Sequence, residues 1–286
     1  MKSFKYILDK SSKKFRCPGC GKRSFVMFIN SDKQYASDKF GRCDREVNCG
    51  YFMKPEEDSV PYKPRIYEDP KPISFIDPKY AIETYRDYDQ NNLFKYLTHK
   101  FGSDKVSQMI KQYRVGVDNS GPYTKDWVIF WQYDIENRIR SGKIIKYDTN
   151  GHRDKHSSAS WFHSKGNIKG PLFPDFNLKQ CLFGEHLITT TNKPIAIVES
   201  EKTALIASLF IDKYLWLGCG GIQELRAEKV QVLRNRSVTV FPDLGAYDNW
   251  KIKSDDLGFN ISDHLEKIAT AQDRAKGKDL ADFLLK

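Results

Sequence analysis

Four cysteines crowd the start of the chain: Cys17 and Cys20 in the run CPGCGK, then Cys43 and Cys49. A segment of about 50 residues buries too little apolar surface to fold unaided, so it needs a staple. Between the two pairs lie SFVMFIN (24–30), which reads as a strand, and KQYASD (33–38), a second extended stretch. Two cysteine-bearing turns separated by strands form the layout of a zinc ribbon. Each turn directs two thiolates at one tetrahedral ion, and metal binding supplies the folding free energy. The first pair is tight, with small residues where backbone amides turn toward sulfur. The second is looser, with five residues between its cysteines. A disulfide framework would require an oxidising compartment, which nothing in the sequence indicates. Cys181 and Cys219 sit in apolar surroundings and read as core residues.

Six of the 12 prolines fall between Pro55 and Pro78. Proline fixes φ and removes a backbone donor, so this run reads as a semi-rigid extended linker. The expected organisation is a zinc ribbon at 1–54, a linker at 55–79, a basic α+β subdomain at 80–193 and an α/β domain at 194–286. Charge follows these divisions. Residues 1–54 carry 13 Lys and Arg against 5 Asp and Glu, and residues 93–194 carry 16 against 9. Residues 55–92 carry 5 against 9, and residues 195–286 carry 13 against 14. Two basic blocks flanking an acidic connector suggest a polyanionic partner such as nucleic acid. A mean hydropathy of -0.61 and the absence of an apolar run near the ~18 residues of a spanning helix argue against a membrane protein. The first residues, MKSFKYILDKSSKKF, hold no apolar signal region, and a cytoplasmic location is expected.

Apolar residues recur at helical spacing from about Ile82 to Gln112, through Leu93, Tyr96, Leu97 and Phe101 and then Val106, Met109 and Ile110. WVIFWQYD (127–134) and KIIKYD (143–148) read as paired strands, with Asn150-Gly151 marking a turn. From Pro194 strands and helices alternate: PIAIVES, EKTALIASLFI, YLWLG, IQELRAEKVQVL, SVTVFPD and AYDNWKIKSDDL. In the fourth segment Ile222, Leu225, Val230 and Leu233 are expected to point inward. This order implies a parallel sheet covered by helices with right-handed crossovers. Glu199 ends one strand and Asp243 follows another, so both fall at the carboxyl edge where such sheets bind ligands. Asp279 and Asp282 open a short terminal helix. Carboxylates converging there favour a hard divalent cation, although each alone also fits an N-cap or a solvated acid.

These residues resemble the Toprim domains of bacterial replicative primases, phage primase-helicases, topoisomerases and some nucleases. IVESEKTA is similar to the glutamate-bearing first Toprim motif, and LGCGG (217–221) resembles the glycine turn after the second strand. FPDLGAYDNW stands at the Asp-x-Asp position, and GKDLADFLL looks like the closing segment in primases. YRVG (113–116) and the hairpin after it resemble the basic subdomain that precedes Toprim. The order zinc ribbon, basic subdomain, Toprim resembles that of primase-like proteins of mobile genetic elements. The resemblance implies an α/β Toprim domain preceded by a mixed α+β basic subdomain and a β zinc ribbon. It implies Glu199 as general acid/base or metal-ordering carboxylate and Asp243 as a ligand of Mg²⁺ or Mn²⁺. Asp279 would complete the site, with Asp282 assisting. Glu201 is expected to face the helix exterior. The second Asp of Asp-x-Asp is replaced by Gly245, and Asp248 is displaced by a helical turn.

The implied function is a DNA primase-like nucleotidyltransferase acting on single-stranded DNA and nucleoside triphosphates, working with a relaxase, helicase or polymerase. The alternatives are a non-catalytic accessory DNA-binding protein and a Toprim nuclease. A topoisomerase would need additional DNA-gate domains. No Gly-x-x-x-x-Gly-Lys-[Ser/Thr] segment occurs, so P-loop ATPase activity is not expected. Candidate nucleic-acid or nucleotide contacts are Lys22, Arg23, Arg42 and Arg45 around the cysteines. On and beyond the hairpin they are Arg138, Arg140, Lys143, Lys146, Arg153, Lys155, Trp161 and His163, cations to clamp phosphates and aromatics to stack bases. A solvated hairpin face with Trp161 in the core is the structural alternative.

Overall fold

Strand β3 (Arg23–Ile29) places Phe25, Val26, Met27 and Phe28 in the interior of the first unit. The computed structural model describes residues 5–55, 71–119, 124–167 and 170–286. Most of the expected linker, residues 56–70, lies outside them. The chain divides into two units, Met1–Lys71 and Pro72–Lys286. In the first, β1 (Ile7–Leu8), β3, β4 (Gly41–Cys43) and β5 (Phe52–Met53) form a sheet in that order, and β2 (Phe15–Arg16) also pairs with β3. The stretch 33–38 contributes a single bridge, Tyr35 to Ile29, rather than a strand. Its place in the sheet is taken by β4, which carries Cys43.

The second unit opens with α1 (Pro78–Ile82), capped by Asp77, and continues with α2 (Asn92–Phe101) and α3 (Ser103–Tyr113). Strands β6 (Val115–Asp118), β7 (Trp127–Tyr133), β8 (Ile139–Ile145) and β9 (Ser160–Trp161) then form an antiparallel sheet in sequence order. Strand periodicity divides β7 between two cores. Val128 and Phe130 pack with Leu93, Phe94 and Leu97 of α2, whereas Ile129, Trp131 and Tyr133 pack with Ile76 and Phe162 on the other face. Gly142 stands opposite Trp131, and a Cβ at Gly142 would lie 2.9 Å from that ring. A small hairpin, β10 (Gly166–Asn167) and β11 (Gly170–Pro171), follows.

Strands β12 (Ile195–Val198), β13 (Leu215–Gly218), β14 (Val238–Phe241) and β15 (Asn260–Ile261) pair in the order β13-β12-β14-β15, all parallel. Residues 195–198 and 215–218 are buried throughout, as strands covered on both faces must be. Helices α4 (Glu201–Phe210), α5 (Ala227–Val230), α6 (Tyr247–Leu257), α7 (His264–Ile268), α8 (Ala271–Ala275) and α9 (Leu280–Leu284) complete the unit. Within this unit one buried cluster runs from α2 and α3 through β7 into the parallel strands. Among the described residues no helix is long and apolar enough to cross a membrane.

The segment expected as one amphipathic helix over 222–233 is helical only from Ala227, passing into a 3₁₀ turn at Gln231–Leu233. Leu225, Val230 and Leu233 are buried as expected, but Ile222 is 38% exposed. Its carbonyl accepts from the Trp250 indole (3.0 Å) and the Lys253 ammonium (3.2 Å), bonds that take the place of a helical partner.

Candidate metal centre and carboxylate edge

The four cysteine sulfurs lie within 4.8 Å of one another. Cys17 and Cys49 approach to 3.7 Å and Cys20 and Cys43 to 3.9 Å. A disulfide would bring sulfurs to about 2.05 Å. Four thiolates about 2.3 Å from a tetrahedral Zn²⁺ stand about 3.8 Å apart, matching the observed spacing. The first turn is tied by the Cys17 carbonyl accepting from the Gly21 amide (2.8 Å) and the Cys17 amide donating to Lys22 (2.8 Å). The longer second gap is taken up by a helical turn in which the Cys49 amide donates to the Arg45 carbonyl (2.8 Å). Gly50 follows at φ +63. The thiols do not ionise alike. The Lys22 amide, together with neighbouring thiols, lowers Cys20 to about 6. At Cys49 the Tyr51 amide lowers the pKa, but burial and the neighbouring thiols outweigh it and push the value up to about 12. Four thiolates together require a cation at their centre.

The carboxyl edge of the parallel sheet gathers acids from three segments. Asp243, just after β14, is raised to about 8 by burial first, then by Asp279, Glu199 and Asp282, with Lys202 opposing. Its Oδ1 is buried and, among the described residues, has no hydrogen-bond partner. Glu199, just after β12, is also raised by burial, against the Lys143 charge and a bond from the Ile222 amide, while Asp279 and Glu201 push it further up. Asp279 caps α9: its Oδ1 accepts from the Asp282 amide (2.9 Å) and its Oδ2 from the Thr203 hydroxyl (2.6 Å). Asp282 completes a capping box by accepting from the Asp279 amide (3.1 Å). The N-cap reading therefore holds for this pair, and it also fixes Asp279 beside the first turn of α4. Among the described residues the cysteines are the set of three or more ligand atoms within 4.8 Å, and the carboxylates are spread more widely.

Glu201 corrects the sequence expectation. It is 1% exposed rather than facing outward. Its Oε2 accepts from Lys143 Nζ (3.1 Å), and its Oε1 has no partner. Lys143 also donates to the Gly220 carbonyl (2.8 Å), and buried Lys229 donates to the preceding carbonyl, that of Cys219 (2.8 Å). Two ammonium groups thus clamp successive carbonyls of the glycine turn. The Gly220 amide in turn donates to the Glu199 carbonyl (2.8 Å), and the Ile222 amide binds the Glu199 carboxylate. Gly220 lies at φ +96, a conformation that favours glycine. The sequence offers no local signal for the roles of Glu201 and Lys229, whose partners Lys143 and the Cys219 carbonyl lie 58 and 10 residues away.

Gly245 has φ +88 in the turn after Asp243, and Asp248 is exposed in the first turn of α6. An Asp at position 245 would be strained in this backbone. Among the cationic candidates, Lys22, Arg23, Arg42, Arg45, Lys146, Arg153 and Lys155 are exposed. Arg42 pairs with Glu46 (3.3 Å) and Lys146 with Asp154 (3.0 Å). Arg140 turns inward instead, with its side chain 11% exposed and Nε on Asp134 (2.8 Å). Arg138 bonds the same carboxylate (2.9 Å). His163 is held by Ser141 Oγ (2.8 Å) and stacked on Phe176, and burial lowers its pKa. Trp161 is half-buried, opposite Lys143 in the sheet.

The class defined by this arrangement is a zinc-ribbon protein with an acidic parallel-sheet edge, and residues 4–62 match a zinc beta-ribbon finger family. Residues 91–244, more than half of the chain, match the family described as Domain of unknown function (DUF6371), and the chain belongs to that family. No curated protein matches the sequence. Among solved structures the chain is similar to the primase fragment of the bacteriophage T7 primase-helicase protein. That likeness has 13% identity and a TM-score of 0.41, covering 95% of this chain and 99% of that one. It is also similar to the zinc-binding and RNA polymerase domains of the Aquifex aeolicus primase, at 12% identity and a TM-score of 0.38, covering 89% and 73%. The DnaG catalytic core aligns at 14% identity and a TM-score of 0.35, covering 57% and 64%.

Metal analysis of the purified protein should find about one equivalent of zinc. Cys43→Ser should lose that zinc and the protease resistance of residues 5–55; a metal-free ribbon that stays folded would contradict the assignment. A carboxyl whose folded pKa is raised holds its proton while the unfolded chain has released it. Stability therefore falls as pH rises between about 4 and about 8. Without added divalent cations, Asp243→Asn should be more stable than the wild type at pH 9, by on the order of 1–3 kcal/mol, and the gap should close by pH 4. Urea titrations at the two pH values measure it, and equal gaps would contradict the burial of that charge.

Proposed function

We propose that this protein is a Toprim-type, primase-like nucleotidyltransferase that joins nucleoside triphosphates into short primers on single-stranded DNA. The observation that carries the proposal is Asp243, its Oδ1 buried without a partner and its charge opposed by Glu199, Asp279 and Asp282. An unpartnered carboxylate oxygen among like charges fits a hard divalent cation, Mg²⁺ or Mn²⁺. Glu199, Asp243 and Asp279 would hold it, with Asp282 beside them. When bound, such an ion neutralises phosphate charge and makes a hydroxyl more acidic.

The chain's own groups then divide the remaining work. Glu199, steadied by the Ile222 amide and more basic than an ordinary carboxylate, takes the proton from the primer 3′-hydroxyl. That oxygen attacks the α-phosphorus, the bond to the bridging oxygen breaks, and pyrophosphate leaves. Lys143, buried against Glu201, keeps the glycine turn in place rather than contacting template. Template contact falls to exposed cations: Arg153 and Lys155 beyond the hairpin, and Lys22, Arg23, Arg42 and Arg45 on the ribbon. The order of the modules, the first Toprim motif and the glycine turn support the same reading. They also suit action for a mobile element alongside a relaxase, helicase or polymerase.

Gly245 favours a second reading, an accessory DNA-binding protein that has given up one ligand of the site. A nuclease using the same carboxylates accounts less well for the ribbon and the basic block. Primer synthesis on single-stranded DNA with labelled nucleotides, in Mg²⁺ and in Mn²⁺, separates these readings. The proposal expects template-dependent product. Glu199→Gln, which keeps an acceptor for the Ile222 amide, should lose about 10²-fold or more of it while still binding DNA. Unchanged synthesis in that variant overturns the mechanism, and absence of product with either cation favours the accessory role.

A further inference from the structure

A cavity of about 340 Å³ lies between the β7–β8 turn, residues 179–185 and the α5 region. Glu199, Asp243 and Asp279 do not line it. Three of its four carboxylates are already engaged, Glu136 by Arg138 Nη1 (2.6 Å). Asp134 accepts from the amides of Glu136 (3.0 Å) and Arg138 (2.9 Å) and from the Nε atoms of Arg138 (2.9 Å) and Arg140 (2.8 Å). Glu185 accepts from the amides of Ile135 (3.2 Å) and Leu182 (3.0 Å).

Donors, by contrast, are left over. The Lys229 ammonium binds Gln180 Oε1 (2.9 Å), which fixes the amide's orientation, and among the described residues its NH₂ has no acceptor. Arg140 Nη1 is buried and, among the described residues, has no partner. Its guanidinium is held in place by Asp134 and by the Phe75 ring, 4.9 Å away. Lys179 and Arg234 stand exposed at the rim, and among the described residues neither has an ion-pair partner. The fourth carboxylate, Glu228, is solvent-exposed at the rim on the first turn of α5, where water screens its charge. Walls whose acceptors are engaged and whose donors are free select an acceptor-rich anion, and guanidinium donors suit phosphate oxygens. The volume falls in the range of small-ligand sites, about 300–1,000 Å³, and Ile135 and Val232 add apolar wall.

We propose that this cavity binds a phosphate-bearing small molecule of up to nucleotide size, at a site separate from the carboxylate edge. Calorimetry on the zinc-loaded full chain, without added divalent cation, tests it with inorganic phosphate, pyrophosphate and ATP as probes. The expected result is saturable binding of pyrophosphate or ATP, tighter than that of phosphate. Preference for pyrophosphate identifies an inorganic ligand, and preference for ATP a nucleoside phosphate. A Lys179→Glu/Arg234→Glu double variant, altered at exposed positions outside the proposed catalytic group, should bind at least tenfold more weakly. Glu199→Gln should bind as the wild type does, so the result does not depend on the proposed synthesis. No saturable binding of any probe, full binding by the double variant, or loss of binding in Glu199→Gln each overturns the proposal.

Discussion

The ammonium of Lys143 ties the second unit together. From β8 of the antiparallel sheet it reaches the Glu201 carboxylate at the start of α4 and the Gly220 carbonyl after β13. It therefore joins the two sheets where the acidic edge is built. The side chain is 13% exposed and Glu201 is 1% exposed, so solvent screens the pair little. Removing one partner from such a pair leaves an uncompensated buried charge, which costs about 3–5 kcal/mol. Lys229 repeats the device one residue earlier, on the Cys219 carbonyl. Between them the glycine turn is held with the Ile222 amide on Glu199. The glycine turn that carries the Ile222 amide to Glu199 is thus held by two lysines outside the segment 197–204.

Both candidate metal centres express the same electrostatic condition in different chemistry. In the ribbon, the Lys22 amide and the neighbouring thiols lower Cys20 to about 6, while burial and the same thiols push Cys49 up to about 12 against the Tyr51 amide. At the sheet edge, burial and then the neighbouring carboxylates Asp279, Glu199 and Asp282 raise Asp243 to about 8. The thiol spacing suits a small tetrahedral ion with no room for water. The carboxylates are set farther apart, which suits a cation that keeps part of its hydration shell, as Mg²⁺ does.

Much of the fold was legible because its signals are local. The apolar runs IAIV and LWLG, the strand expected at 127–134 and the cysteine spacing each constrain a few neighbouring residues, whereas the strand expected at 143–148 runs instead over Ile139–Ile145. What escaped depends on contacts distant in sequence. Helix α5 starts late because the Ile222 carbonyl is occupied by Trp250 and Lys253, some thirty residues on. Glu201 turns inward because Lys143, 58 residues earlier, waits there. Strand β15 spans two residues, too few to show a period. The inward turn of Arg140 was not legible either, because it depends on Asp134 accepting from its Nε across the turn. Gly245 was legible only as a missing carboxylate; its φ of +88 in the turn after Asp243 emerges from the structure.

The account turns on whether the strand-edge carboxylates hold a hard cation. Electron paramagnetic resonance of Mn²⁺ titrated into the zinc-loaded protein reads this directly, since the signal of the free hexa-aquo ion falls as the ion binds. The account expects saturable loss of that signal in the wild type, abolished in Asp243→Asn although that variant remains folded and retains its zinc. A free-ion signal that persists throughout the titration, or Mn²⁺ binding that survives the Asp243 substitution, would contradict it.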